Sequence, residues 1–176
     1  MAYISLCKYE DMSPLIKEKA KPILEKTGEL GEIFELLALD EKIYMATDTM
    51  VQKYLLDKTL LPYSTKERIA LLVSLANNCT MCVDVHKKIA KMLGMSEEQI
   101  EETLRGVDNI NCSESEKELL RLCLKGASKD NYKTTKEDIE RVKEAGYSEK
   151  EILEAIAITG YFNYINTLSN VFGLGE

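Results

Sequence analysis

Helix-start and helix-stop signals are the most regular feature of this sequence. A Ser or Thr followed three residues later by Glu or Gln can form a capping box, in which both side chains satisfy backbone amides at a helix start. The boxes that begin predicted helices are Ser64–Glu67, Ser96–Gln99, Ser115–Glu118, Thr134–Glu137 and Ser148–Glu151. Gly94, Gly106, Gly126 and Gly146 fit helix C-termini. Because the chain has only 3 prolines and no long alternating strand pattern, the sequence predicts an all-α fold.

Helices are also predicted on either side of this series. Ser13-Pro14 is typical of a helix start and Gly28 of its end. Further helices are expected at about residues 32–39, 40–56 and 149–172. In the helix over residues 40–56, one face carries Ile43, Ala46, Met50 and Tyr54. The helix over residues 149–172 is apolar on most sides, so it must be buried in a core or in a subunit interface.

The second half of the chain resembles the first in its helix starts. Segment 64–67 recurs at 115–118, an offset of 51, and segment 94–100 recurs at 146–152, an offset of 52. The sequence is therefore consistent with an internal two-fold repeat within a single domain spanning residues 1–176, and equally with a coincidence of common caps. If the repeat is real, Asp130 and Lys133 stand roughly where the first copy has Cys79 and Cys82.

Composition excludes several classes of function. The only histidine is His86, so metal sites that need two or three histidines are excluded. The net charge of −7 and the lack of a basic stripe argue against a nucleic-acid partner. The longest apolar run, residues 69–73, is far shorter than a membrane span, and the N-terminus does not resemble a signal peptide. The 5 cysteines are odd in number and irregularly spaced, which favours a reducing cytoplasm.

The segment from Cys79 to His86 carries the pattern C-x-x-C-x-x-x-H. Asn77 and Asn78 are typical of helix caps, so Cys79 is expected at or near the first turn of a helix that ends by Gly94. On that helix Cys79, Cys82 and His86 share one face. The two sulfurs can then approach within disulfide distance, and the helix N-terminus and the imidazole both favour a thiolate.

Other interpretations of the same residues stay open. The pair can be core packing, or it can bind zinc, although Cys112 and Cys123 are too isolated to supply two further ligands. Proximity to His86 favours Cys82 as the attacking thiolate, whereas proximity to the positive helix end favours Cys79. Glu67, by its position alone, is more readily a capping residue than a catalytic one.

These residues resemble the alkyl hydroperoxidase D-like branch of the carboxymuconolactone decarboxylase family. The resemblance rests on Cys79, Cys82 and His86, with Glu67 twelve residues before the first cysteine. It is centred on about residues 60–110. The stretch 161–168 also resembles the Phe-Asn-x-x-Asn helix of peroxidase-related members.

The resemblance implies an antiparallel helical bundle that assembles into a homo-oligomer, either a dimer, a trimer or a hexamer. It also implies a thiol-dependent peroxidase or disulfide oxidoreductase. In this implied site Cys82 attacks a peroxide or a disulfide, Cys79 resolves the product, and His86 and Glu67 relay protons. No cofactor is implied beyond the redox-active Cys79–Cys82 disulfide, which an external dithiol resets, either a reductant protein or a lipoyl-type donor.

Two features set limits on the resemblance. Met81 stands where the best-studied type has His and many relatives have Tyr, so one proton carrier of the pattern is missing. A lactone decarboxylase-like enzyme that uses Glu67 and His86 is an alternative, but the lactone-decarboxylating members do not depend on a C-x-x-C pair. A second alternative is a non-enzymatic module whose cysteine pair is structural or binds zinc.

Overall fold

Helices joined by short turns make up the regular structure of the chain. The computed structural model describes residues 2–175, apart from the side chains at positions 26 and 27. No β-strand occurs within that range, which confirms the all-α prediction. The α-helices are α1 (Pro14–Thr27), α2 (Glu32–Leu37), α3 (Glu41–Met50), α4 (Tyr63–Ala76), α5 (Thr80–Met92), α6 (Glu97–Leu104), α7 (Glu114–Ala127), α8 (Lys136–Glu144) and α9 (Glu149–Val171).

The helix α3 differs in detail from the sequence prediction. The chain stays helical to Leu56 as expected, but Val51–Leu56 has π-helical geometry. Ile43 and Tyr54, from the predicted apolar face, are exposed, whereas Tyr44 and Thr47 are buried. The side chains that α3 sends toward the interior are therefore mixed apolar and polar.

The capping boxes at Ser96–Gln99 and Ser148–Glu151 form as predicted. The predicted boxes at Ser115–Glu118 and Thr134–Glu137 are wrong, because the N-cap residue is Ser113 in α7 and Thr135 in α8. Several residues near each start can act as caps, and the buried face of the helix selects among them.

Three helices around α4 build the centre of the fold. Most of α4 is buried, including all residues from Thr65 to Ser74, and it packs against α5, α7 and α9. Glu67 in the first half of α4 meets His86 in the middle of α5, and Cys79 at the start of α5 donates to Ser74 near the end of α4, so these two helices form the expected antiparallel pair. Glu154 of α9 accepts hydrogen bonds from the amide of Leu61, and further along Asn166 donates to Ser74, so α9 runs in the same direction as α4.

The helix starts keep the spacing of the apparent repeat. α4 and α7 both have 14 residues and begin at Tyr63 and Glu114, which preserves the offset of 51. At the position equivalent to Cys79, Asp130 precedes a short 3₁₀ turn, Asn131–Lys133, in place of a long helix. The cysteine-bearing helix start therefore belongs to the first unit alone.

Membrane insertion finds no support among residues 2–175. None of the helices in that range combines the length and the hydropathy that crossing a bilayer requires.

Candidate active site

The turn between α4 and α5 sets the position of both cysteines. Asn77 ends α4, and Asn78 adopts a left-handed conformation (φ 53°), which Asn tolerates better than most residues. Cys79 follows as the N-cap residue of α5, and its N–H donates to the carbonyl oxygen of Ser74 at 2.9 Å. Cys79 thus lies at the helix start, as predicted, with Cys82 in the first turn.

Cys79 and Cys82 are joined by a disulfide bond. Their Cα atoms are 5.3 Å apart, inside the range that a disulfide requires. The two residues are only 1% and 3% exposed. The pair can therefore be oxidised without rearranging the backbone, and both sulfurs are shielded from bulk solvent.

His86 is held by a carboxylate and an aromatic ring. Its Nδ1 lies 2.8 Å from Glu67 Oε2, and because a carboxylate oxygen only accepts, Nδ1 carries the proton in this pair. The imidazole and the Phe162 ring meet in a T-shaped contact, with ring centroids 4.8 Å apart. These two contacts fix the ring and leave Nε2 as the nitrogen that can accept a proton.

Glu67 does not complete a capping box. Since α4 begins at Tyr63, with Pro62 as its N-cap residue, Ser64 and Glu67 lie inside the helix and the predicted Ser64–Glu67 box is wrong. The Glu67 side chain is buried and turns to His86 instead. Packing of α5 on α4 decides this, because it brings the imidazole next to the carboxylate.

An apolar cavity of about 130 Å³ adjoins the site. Cys82, His86 and Glu67 all contribute to its wall, whereas Cys79 is not among the described residues that line it. Cavities of this size in proteins hold a benzene-sized molecule. The apolar part of the wall comes from Ile33, Phe34, Leu37, Val51, Leu55, Leu56, Met81, Val85, Ile89, Leu93, Phe162 and Ile165.

The residues of this site lie in a part of the chain that matches a known protein family. The model of the carboxymuconolactone decarboxylase family matches residues 44–125, which include Glu67, both cysteines of the pair and His86. A comparison with curated protein sequences finds no match.

Solved structures with this fold extend over nearly the whole chain. An uncharacterized peroxidase-related protein with an alkylhydroperoxidase AhpD core, from Ralstonia eutropha JMP134, is 20% identical, with a TM-score of 0.90 over 98% of this chain and 90% of that one. An uncharacterized peroxidase-related protein from Silicibacter sp. TM1040 is 18% identical, with a TM-score of 0.88 over 98% and 90%. At these identities the shared property is the fold.

One further structure has the same fold. The debrominase Bmp8, as a variant in complex with 2,3,4-tribromopyrrole, is 17% identical to this chain. Its TM-score is 0.80 over 97% of this chain and 89% of that one.

Ser169 is a site residue that sequence reasoning did not find. Its buried hydroxyl lies 3.5 Å from Cys82 Sγ, although the two residues are 87 positions apart in the chain. A hydroxyl at that distance can donate to a sulfur and stabilise its negative charge. The available signal is the spacing of Asn163, Asn166 and Ser169, three polar residues at i, i+3 and i+6 in the second half of α9.

The asparagines of α9 hold the cysteine-bearing turn in place. Asn77 Nδ2 donates to Asn163 Oδ1 at 2.7 Å and to Asn166 Oδ1 at 3.0 Å. Asn166 Nδ2 in turn donates to Ser74 Oγ at 3.0 Å, and Asn170 Nδ2 donates to the Asn77 carbonyl at 2.8 Å. The Phe-Asn-x-x-Asn stretch of the family branch is therefore a structural clamp in this chain.

Breaking this clamp is expected to destabilise the protein. In the Asn166→Ala variant, the Asn77 amide loses an acceptor and the Ser74 hydroxyl loses a donor inside a buried network. We expect a loss of about 1–3 kcal/mol in the free energy of unfolding, measured by urea denaturation. Thr167→Ala, which changes an exposed side chain on the same helix, is the matched control. An Asn166→Ala variant as stable as this control would contradict the clamp.

The C-terminal segment packs closely against Met81, which lies between the two cysteines in the sequence. Leu174 is buried, and the N–H of Gly175 donates to Glu32 Oε2 at 2.7 Å. Gly175 has a φ of 82°, and a Cβ built at this position would come within 2.8 Å of Met81 Cβ. Only glycine meets both conditions without strain, so this close cover over Met81 depends on it.

The remaining cysteines are separate from this site. Cys123 is buried in the core as predicted, and burial raises the pKa of its thiol to about 12. Burial also raises the pKa of Cys112, and Cys7 is half-buried and free. In the part of the chain that the structure describes, no three His, Cys, Asp or Glu side chains converge as a metal site would require.

Proposed function

We propose that this protein is a thiol-dependent peroxidase or disulfide reductase that works through the Cys79–Cys82 pair. The observation that carries the proposal is a cavity whose wall contains Cys82, His86 and Glu67 together, beside a buried disulfide. The disulfide corresponds to the oxidised end of the proposed cycle. The match of residues 44–125 to the family model and the fold shared with peroxidase-related proteins support the same interpretation.

The first step of the cycle takes place at Cys82. His86 Nε2 accepts the thiol proton, and the Glu67 carboxylate stabilises the resulting imidazolium through Nδ1. The thiolate attacks the terminal oxygen of a hydroperoxide, so a sulfur–oxygen bond forms and the oxygen–oxygen bond breaks. The alcohol leaves with the proton held by His86, and Cys82 becomes a sulfenic acid.

The second step closes the disulfide. The Cys79 thiol attacks the Cys82 sulfur, the sulfur–sulfur bond forms, and the sulfenic oxygen leaves as water. With a disulfide as substrate, Cys82 instead forms a mixed disulfide, and Cys79 displaces the second substrate thiol. In both cases the protein loses two electrons and the substrate gains them.

An external dithiol completes the cycle. Its two thiols reduce the Cys79–Cys82 bond by exchange and leave as a disulfide, so no bound cofactor is needed. A reductant protein or a lipoyl-type donor has the required chemistry. Such a cycle suits a protein in a reducing cytoplasm. The proposal also includes assembly of the protein into a homo-oligomer.

The cavity favours Cys82 over Cys79 as the attacking thiolate. Cys82 lines the cavity, together with the imidazole that activates it, whereas Cys79 lies behind it at the helix start. The dipole of α5 favours a thiolate at Cys79. A thiolate that substrate cannot reach has nothing to attack. Access to the cavity, which favours Cys82, therefore carries more weight than the dipole of α5, which favours Cys79.

Reductive debromination is a second candidate reaction. Bmp8, which shares this fold, is described as a debrominase, and the cavity in this chain is apolar and large enough for a small ring. The Cys82 thiolate would take bromine from an electron-rich ring while His86 protonates the ring carbon. Cys79 would then displace bromide and form the same disulfide, so the atoms and electrons balance as in the peroxidase cycle.

Oxidation of the pair by substrate is the direct test of the proposed function. The reduced protein is treated with hydrogen peroxide, an organic hydroperoxide or a small disulfide, and the Cys79–Cys82 peptide is followed by mass spectrometry. We expect the disulfide to form and to be reversed by dithiothreitol, with two thiols lost and regained per chain. Stoichiometric zinc in the purified protein, with no loss of thiols, would instead support the structural alternative.

Ser169 is expected to tune the reactivity of Cys82. In the Ser169→Ala variant the Cys82 thiolate loses one hydrogen-bond donor, so its formation should require a higher pH. We expect alkylation of Cys82 at neutral pH to slow by about three- to tenfold. Thr167→Ala serves again as the control on α9. An alkylation profile that stays unchanged across pH would restrict Ser169 to packing.

A further inference from the structure

Besides Tyr161, two separate groups of polar side chains interrupt the apolar wall of the cavity. One is the reactive group of Cys82, His86 and Glu67. The other comes from α3, which contributes Tyr44, Thr47 and Asp48. The reactive group accounts for the proposed chemistry. The α3 group takes no part in it, although Asp48 places a second carboxylate beside the cavity.

No cation balances Asp48 in the described part of the chain. Asp48 is half-buried, and its hydrogen-bond partner is the neutral amide of Gln52, whose Nε2 donates to Asp48 Oδ1 at 3.3 Å. No lysine or arginine is found among the described residues that line the cavity. The wall therefore holds two carboxylates, and only Glu67 has a partner that can carry a positive charge.

The charge of Asp48 acts across the cavity. Tyr44 and Tyr161 both line it, and both phenols have a raised pKa. Burial is the main cause, and the negative charge of Asp48 adds to it in both cases. Tyr161 also packs edge-on against Phe162, which contacts His86, so the field of Asp48 reaches the layer of side chains next to the reactive group.

An anion that entered this cavity would meet two penalties. It would lose hydration against an apolar wall, and it would be repelled by a carboxylate whose charge is weakly screened at a half-buried position. A neutral apolar molecule meets neither penalty and gains from burial. Of two molecules of similar size and shape, the neutral one is therefore expected to bind in this cavity more favourably than the anionic one.

We infer that the cavity beside Cys82 admits uncharged, ring-sized apolar molecules and that Asp48 is the residue that turns anionic ones away. The inference rests on the proposed role of Cys82 as the reacting thiol and adds the class of its substrate. It places neutral organic hydroperoxides, or neutral halogenated rings, above fatty-acid hydroperoxides. It also disfavours decarboxylation, because the substrate of a decarboxylase carries a carboxylate by definition.

Alkylation of the reduced protein tests this inference without requiring turnover. Iodoacetamide and iodoacetate are nearly equal in size and differ in charge. The alkylation rate at Cys82 is measured by mass spectrometry for both reagents and normalised to 2-mercaptoethanol. We expect the normalised preference for iodoacetamide to be about tenfold in the wild-type protein. Asp48→Asn should lower that preference at least threefold, whereas Asp57→Asn, which removes an exposed carboxylate outside the cavity, should preserve it.

The outcomes separate the inference from the proposed function. Equal normalised rates, or a faster reaction with iodoacetate, would overturn the inference, and so would a preference that Asp48→Asn leaves unchanged. A Cys82 that reacts with neither reagent would overturn both proposals, because the cavity would then give no access to the thiol. A charge preference without any oxidation of the pair by peroxides or disulfides would support the inference and contradict the proposed function.

Discussion

We expect Cys82→Ser to reduce peroxide and disulfide turnover to the uncatalysed background. The Ser hydroxyl is a far weaker nucleophile than a thiolate at neutral pH, and it cannot form the sulfenic acid or the mixed disulfide that the cycle requires. Substrate consumption coupled to dithiothreitol oxidation gives the rate. Turnover by the Cys82→Ser protein above this background would exclude Cys82 as the attacking thiol.

Cys79→Ser is expected to fail at a different step. Its Cys82 can still attack substrate once, but no neighbouring thiol resolves the product. We expect a single round of oxidation that ends in a sulfenic acid or a mixed disulfide at Cys82, detected by dimedone labelling or by mass. The reverse pattern, with trapping at Cys79 in the Cys82→Ser protein, would exchange the two roles.

A matched control is available for both cysteine variants. Cys112 is a half-buried free cysteine outside the cavity, and burial raises the pKa of its thiol. Cys112→Ser therefore removes one thiol from the total count but should retain turnover. Loss of turnover in this variant would show that the assay reports on thiols in general and not on the pair.

We expect His86→Ala to lower turnover at neutral pH by roughly 10²- to 10⁴-fold, the range typical of a lost general base. Without the imidazole, no base next to Cys82 accepts its thiol proton, so the rate profile should move to higher pH. Added imidazole should restore part of the rate through the open cavity. A pH profile that is unchanged for both turnover and alkylation would remove His86 from the mechanism.

Glu67→Gln distinguishes a relay from simple positioning. Gln keeps the shape of Glu67 and can still accept a hydrogen bond from His86 Nδ1, but it cannot stabilise an imidazolium by charge. We expect a smaller loss of turnover than in His86→Ala, with a pH profile that moves in the same direction. Equal thermal stability of the two proteins would assign the difference to chemistry.

The resemblance to the family and the helical fold were accessible from the sequence because the signals for both are local. Ser96 and Ser148 cap their helices as predicted, and Cys79 begins its helix, because these features depend on residues within one turn of each other. The caps at Ser115 and Thr134 were wrong because nearby residues compete for the same role. Ser115, for example, donates instead to the carbonyl oxygen of Ala145, a contact that arises only when α7 packs beside the end of α8.

Only part of the site could be predicted from the sequence, because sequence signals report on neighbours within one helix. The spacing of Cys79, Cys82 and His86 places them on one face of a helix, and no tertiary contact is needed for that. Ser169 lies 87 residues from Cys82, and Asn166 lies 92 residues from Ser74, so their roles appear only once α9 packs along α4. The spacing of the polar residues on α9 indicated that they share one face of the helix. It did not show which helix packs against that face.

The sequence by itself determined an all-α chain with a C-x-x-C-x-x-x-H helix, since helix caps and i, i+3 and i+4 neighbours follow from backbone geometry alone. Only the tertiary structure decided that Glu67 pairs with His86 and does not cap α4, and that Cys82 lines the cavity. It also placed Asp48, whose negative charge has no cation beside it among the described residues, in the α3 group that lines the same cavity. Each of these depends on how separate helices pack, and the burial of whole faces selects that packing.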